Sequence, residues 1–143
     1  MPGLRAAVDA AASALSVERT RMEAAVSNLA NMESTRGPDG QPYRRRDVVL
    51  ETAPVESFDT ALGRAASATG VRVAGVVEDQ AAFRRRFEPS HPDADKEGYV
   101  ALPNVDPAEE MVDMVGAARA YQANLTAIGL IRDMVQRALD LGR

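Results

Sequence analysis

The residues of this chain that can do chemistry are carboxylates, arginines and amides, and each kind is clustered. "HPDADKEG" (His91–Gly98) alternates Asp93, Asp95 and Glu97 ahead of a glycine. That spacing opens like a calcium-binding loop, where oxygens at alternate positions surround a hard cation. Such a loop closes on a bidentate glutamate at its twelfth position, and counted from Asp93 that position is Asn104. No helical pattern precedes it either, so the calcium reading fails. His91 lies between Ser90 and Pro92 and reads as a loop residue rather than a ligand or a base. No serine, histidine and aspartate stand in a nucleophilic arrangement, and no glycine-rich phosphate loop is present. The sequence predicts no enzyme, no metal site and no cofactor.

Arginines form two triplets beside aromatic residues, "YRRRD" (Tyr43–Asp47) and "FRRRF" (Phe83–Phe87). The chain carries 21 acidic residues against 17 basic ones, for a net charge of −4. A nucleic-acid partner needs a basic surplus, so it is not expected. The plain reading of the triplets is a solvated strand or loop face. The sharper reading is a protein interface, in which Arg44, Arg45 and Arg46 meet carboxylates of neighbouring copies: Asp93, Asp95 and Glu97, or Glu109, Glu110 and Asp113. The amides Asn28, Asn31, Gln122 and Asn124 lie in stretches otherwise patterned for packing. Buried amides can fix register by bonding between helices, at some cost in stability. On that reading, replacing Asn28 or Asn31 by Leu leaves the helix intact and impairs assembly.

The elements that position these residues divide the chain into 1–32, 33–106 and 107–143. In the first part, Val8, Leu15, Met22 and Leu29 recur every seventh position on an Ala-rich stretch, an apolar stripe for a helix beginning at Met1 or only near Ser16. Ser13 and Ser16 are the available caps. The stripe is narrow, so this helix is marginal without tertiary packing, and low helicity is expected before assembly. The middle part opens with turns at Gly37, Pro38, Gly40 and Pro42. Short strands follow at Val48–Thr52 and at Thr69–Asp79 with a bulge or bend at Gly75, and "FRRRFEPSHPDADKEGYVALPNVDP" then mixes a short strand, a Pro-bounded loop and another short strand around Tyr99–Leu102. In the third part Asp106 is an N-cap, Pro107 takes the first helical position, and Glu109 and Glu110 favour the positive helix end. Met111, Met114, Ala118, Tyr121, Leu125, Ile128, Val135 and Leu139 then follow a 3-4 spacing, with Arg132 as its polar intruder and Gly142 as its stop.

Two helices with apolar stripes must bury them. The expected fold is mainly α, with the terminal helices packed as a coiled-coil-like pair and a small β-rich segment projecting between them. With 45% apolar but only 4% aromatic residues and no Trp, small and flexible side chains dominate, which suits helix-on-helix packing. The C-terminal helix carries more apolar surface than its partner can cover, which points to further copies or relatives as partners. The N-terminus has no apolar core of a cleavable signal, since Asp9 and Glu18 interrupt it. No stretch approaches a membrane span, so a soluble chain without direct membrane insertion is expected.

Two stretches carry a family resemblance. "ALSVERTRMEAAVSNLANMESTR", followed by "PYRRRDVVLE", resembles the N-terminal signature of flagellar rod and hook proteins, whose hallmark is Ser-Asn-Leu-Ala-Asn (Ser27–Asn31) followed by a Thr-Arg pair (Thr35 and Arg36). "PSHPDAD", "EGYV", "PNV" and "RAYQANL" resemble the C-terminal half of a member found in the proximal rod. Met32, Glu33 and Pro107 depart from the family pattern but suit a helix end and a helix start. The resemblance implies a structural subunit of the hollow drive shaft that crosses the bacterial periplasm, with both helices in an inner coiled-coil layer. It also implies export through the flagellar type III apparatus without a cleaved signal. The implied partners are that apparatus, copies of the chain itself, the rod proteins FlgB, FlgF and FlgG, and the rod-base adaptor FliE. The rival reading is a helical-hairpin adaptor that binds a protein partner transiently.

Overall fold

The computed structural model describes residues 2–54 and 69–141. Helix α1 spans Pro2–Ala30. Strands β1 (Arg46–Pro54), β2 (Thr69–Glu78), β3 (Arg84–Phe87) and β4 (Tyr99–Leu102) follow, and helix α2 spans Pro107–Leu141. The expected architecture is the one observed: two packed terminal helices with a small β segment between them. Met1 and Gly142, offered as helix start and stop, lie outside the described residues. Helix α1 is continuous from Pro2, and neither serine caps it. Ser13 Oγ donates to the Ala10 carbonyl and Ser16 Oγ to that of Ser13, both within the helix. The capping expected of Asp106 is present, its Oδ1 accepting the Ala108 N–H at 2.8 Å.

The helices pack antiparallel, with Asn28 in the last turn of α1 touching Glu110 in the first turn of α2. At 1.5 Å per residue the 35 residues of α2 extend about 52 Å and the 29 of α1 about 44 Å. The α2 residues that turn toward α1 are Glu110, Met114, Ala117, Tyr121, Asn124, Ile128, Ile131 and Val135, all buried or half-buried at alternating 4-3 spacing. This corrects the predicted stripe. Met114, Tyr121, Ile128 and Val135 belong to it, but Met111, Ala118, Leu125, Arg132 and Leu139 are one residue out of register and exposed. The facing surface of α1 is narrow and small, with Val17 and Ala25 buried, and Asn28 at its end selects a polar partner. Glu110 supplies it, and the more apolar row faces outward.

Strands β1 and β2 form an antiparallel hairpin with Arg46 opposite Glu78 and Pro54 opposite Thr69. Its register slips between Val49 and Leu50, where Ala74 is the extra residue beside Gly75, the position at which the sequence predicts a bulge. The hairpin does not stand off the end of the helix pair but lies back along α1. The Val71 N–H reaches Ser13 Oγ at 3.2 Å, and Val71 and Val73 are half-buried. With α2 on one side and this hairpin on another, Val8, Leu15, Met22 and Leu29 are all half-buried.

The second hairpin pairs Arg84 with Leu102 and Phe87 with Tyr99. Val100 and Leu102 are buried while Tyr99 and Ala101 are exposed, the period of two that a half-covered strand requires. Its loop is organised by Asp95, whose Oδ1 accepts the N–H groups of Glu97 and Tyr99, both at 2.9 Å. Gly98 adopts φ +84°, and a Cβ there would sit 2.9 Å from the Phe87 ring. Among the described residues the buried apolar side chains are Val17, Ala25, Val100, Leu102, Pro103, Val105 and Ala117, a thin core for a chain of this length. No described helix is long and apolar enough to cross a membrane.

Two expectations follow from this anatomy. In the isolated subunit, amide hydrogen exchange is expected to be fast from Pro2 to Leu15 and beyond Ile128, and slowest near Asn28 and Glu110, because local stability follows buried contact density. Uniform protection along both helices would contradict the thin core. The Asp95 carboxyl is held below the usual carboxylate range, first by the Tyr99 N–H, then by the Glu97 N–H and Arg85. A lowered folded pKa gives stabilisation that is present above the ordinary carboxylate range and lost as pH falls through the depressed value. The Glu97 and Tyr99 amide resonances should therefore titrate together below that range, and an Asp95→Ala variant should lose the response.

Candidate functional site

The last turn of α1, the strand entry at Tyr43–Arg46, the Asn104–Val105 turn and the first turn of α2 meet in one buried polar junction. Asn28 is 1% exposed and makes every hydrogen bond its amide allows. Its Nδ2 donates to the Arg46 carbonyl at 2.9 Å and to Glu110 Oε2 at 3.0 Å. Its Oδ1 accepts the Tyr43 hydroxyl and the Arg46 N–H, each at 2.9 Å. Glu110, also 1% exposed, takes Arg45 Nε on its other oxygen. Arg45 reaches on to Asp113 at 3.4 Å, and its N–H is taken by Asn104 Oδ1 at 2.9 Å. The hydrogen bond to Glu110 is the largest cause of the raised pKa of Arg45, which keeps the guanidinium charged. No described buried side-chain polar atom lacks a partner.

A second clasp lies beside it. Thr35 Oγ1 donates to Asp93 Oδ2 at 2.8 Å, and Arg36 Nη2 meets Asp93 Oδ1 at 2.7 Å. The Thr-Arg pair that follows α1 thus holds the loop of the second hairpin. Arg85 pairs with Asp95 and Glu97 and lies over the Tyr99 ring, while Arg86 pairs with Glu88.

These contacts correct part of the interface expectation. Asp93, Asp95, Glu97, Glu110 and Asp113, which the sequence offers as possible partners for arginines of neighbouring copies, are each engaged within their own chain. Arg45 is turned inward and half-buried. Of the amides, Asn28 bonds between helices as expected, but within one subunit. Asn31 Nδ2 donates to the Ser27 carbonyl and Asn124 Nδ2 to that of Ala120, each inside its own helix. Gln122 is exposed. Glu110 and Tyr43 are central to the junction, and the sequence reading gave neither that place. The 4-3 row through Ala117, Asn124 and Ile131 was the signal that places Glu110.

Chemically the junction holds and orients: Asn28 and Glu110 spend their polar atoms on groups of the same chain. No group of metal-ligating side chains is found among the described residues. On α2 the molecule also offers large apolar side chains outward: Met111, Val112, Val115, Leu125, Leu130, Met134, Leu139 and Leu141 are all exposed.

Residues 96–141 match the family model described as the C-terminal part of flagellar basal body rod FlgEFG proteins. Over 135 residues the chain is 44% identical to the flagellar basal-body rod protein FlgC of Salmonella typhimurium, covering 94% of this chain and 95% of that one. It is 42% identical to the protein of the same name in Bacillus subtilis, covering 95% and 96%, and 36% identical to that of Borreliella burgdorferi, covering 96% of each.

Arg45→Met is expected to destabilise the subunit by about 3–5 kcal/mol, because it strands a buried carboxylate. Adding Glu110→Gln should recover part of that loss, and a double-mutant cycle by denaturant titration measures the coupling. Asn28→Leu should weaken the fold of the isolated chain and not its assembly alone, at about 1–3 kcal/mol per stranded group. Additive single-mutant effects would show that the junction does not act as a unit.

Proposed function

The chain belongs to the FlgC family of flagellar basal-body rod proteins, and from that premise we propose that it serves as a structural subunit of the rod, held there by the outward face of α2. The observation that carries this reading is that face. Its large apolar side chains, Leu125 and Leu139 among them, stay exposed among the described residues: Leu125 is 47% exposed and Leu139 63%. Apolar surface of this extent on one helix is an interaction surface. The buried polar junction supplies a fixed helix pair on which that face is carried. The rod relatives match over nearly their full length, which leaves the adaptor reading unfavoured.

Finer points extend the same reading. The chain takes its place in the proximal rod across the periplasm, against copies of itself and the rod proteins FlgB, FlgF and FlgG, with the adaptor FliE at the base. It reaches that place through the flagellar type III export apparatus without losing a signal segment. In the assembly interface, Met111, Leu125 and Leu139 are the contact residues, with Gln122 beside them. Met114, Tyr121, Ile128 and Val135 serve the pairing of the two helices within the subunit, together with Val8, Leu15, Met22 and Leu29 on α1.

Met111→Glu and Leu125→Glu test the proposal. Both side chains are exposed in the subunit, so the far-UV circular dichroism of the purified chain should match wild type and its unfolding free energy should stay within about 0.5 kcal/mol of it. Swimming and recovery of the chain in purified basal bodies should be lost. Normal swimming with both substitutions present would refute the assignment of this face.

A further inference from the structure

We infer that Arg46, with Arg44 beside it, receives a carboxylate from a second copy of this chain. The inference rests on the rod-subunit reading and names one contact within it. The arginine triplet enters a strand, so successive side chains leave it on opposite sides. Arg45 goes inward to Glu110, while Arg44 and Arg46 line an open basin of about 490 Å³ together with Arg36 and Tyr43.

Arg46 stands apart from its neighbours. Arg36, Arg45, Arg72, Arg85 and Arg86 each meet a carboxylate within the chain. Arg46 is exposed, and its guanidinium lies 5.5 Å from the centre of the Tyr43 ring and has no hydrogen-bond acceptor among the described residues. Arg44 gives its Nη1 to the carbonyls of Asp79 and Ala81, which bring no charge, and lies 4.4 Å from the centre of the Phe83 ring. Asp39 and Glu78 also line the basin, but neither forms an ion pair there, and Asp39 Oδ1 accepts the Gln41 N–H. An arginine held against an aromatic face with its fork open is a preorganised carboxylate receptor.

The donor is sought on the surface that assembly buries. Glu109 is exposed in the first turn of α2, beside Met111 and Val112, and has no basic partner among the described residues. Basin and acidic turn are different surfaces, so their contact is heterologous. Such contacts repeat into rings or helical filaments instead of closing into a pair.

Arg46→Glu should leave the purified subunit folded, because the hydrogen bonds of Arg46 to Asn28 are made by its backbone. Its recovery in basal bodies should fall at least about tenfold. Glu109→Arg in the same chain should restore incorporation. Incorporation of Arg46→Glu at the wild-type level, or failure of Glu109→Arg to restore it, would overturn the inference. Arg46→Lys keeps the charge and supplies an independent readout if the reversal harms folding. Carbodiimide treatment of assembled rods should condense that amine with the Glu109 carboxylate into an amide, the carbodiimide taking up the water. A link to any other subunit, or none, would overturn the second-copy assignment. Absence of the wild-type chain from basal bodies would sink the rod reading itself and this inference with it.

Discussion

The structure depends on one polar contact, the Asn28 amide against the Glu110 carboxylate with Arg45 behind it. Burying a carboxylate without a charged partner and full hydrogen bonding costs several kcal/mol. The chain meets that constraint by bringing four sequence segments to one point: Ser27–Asn31, Tyr43–Arg46, Asn104–Val105 and the first turn of α2. Once Asn28 meets Glu110, the direction and axial register of the helix pair are set. A slip by one turn would strand at least two buried groups, whereas the same slip costs an alanine-rich apolar seam little. The polar junction therefore supplies the specificity that the small side chains of α1 cannot.

The same contact decides which face of α2 looks outward. The row through Glu110, Ala117, Asn124 and Ile131 is less apolar than the row through Met111, Ala118, Leu125 and Leu139, yet it is the one turned toward α1. Hydrophobicity alone would choose the other row. The outcome is a subunit with few buried apolar side chains and a long apolar face left over. On the proposed reading such a chain gains its remaining burial from neighbours in the rod. That division suits a protein that must pass from a free to an assembled state.

Much of this was legible in the sequence because it follows local rules. Asp106-Pro107-x-Glu announces a helix start, the Val71–Val73 alternation a strand, and Gly75 a bulge. The heptad stripes announce the helix pair. What could not be read was relative rotation and partner choice. A one-residue shift of a heptad row rotates the packed face by about 100°, and periodicity does not choose between adjacent rows that are both largely apolar. The arginine triplet reads as a uniform patch in one dimension. In three dimensions the strand period splits it into an inward Arg45 and outward Arg44 and Arg46. Long-range pairs such as Arg36 with Asp93 leave no local trace at all.

The central claim is that Met111, Leu125 and Leu139 are buried between subunits while the Asn28–Glu110–Arg45 junction closes each subunit from within. Electron cryo-microscopy of purified basal bodies, resolved to side chains, tests it most directly. The account predicts this chain in the rod, with the junction unchanged and the Met111–Leu125–Leu139 row packed against helices of adjoining subunits. A rod map in which that row faces solvent, or in which Glu110 pairs across a subunit boundary, would contradict it.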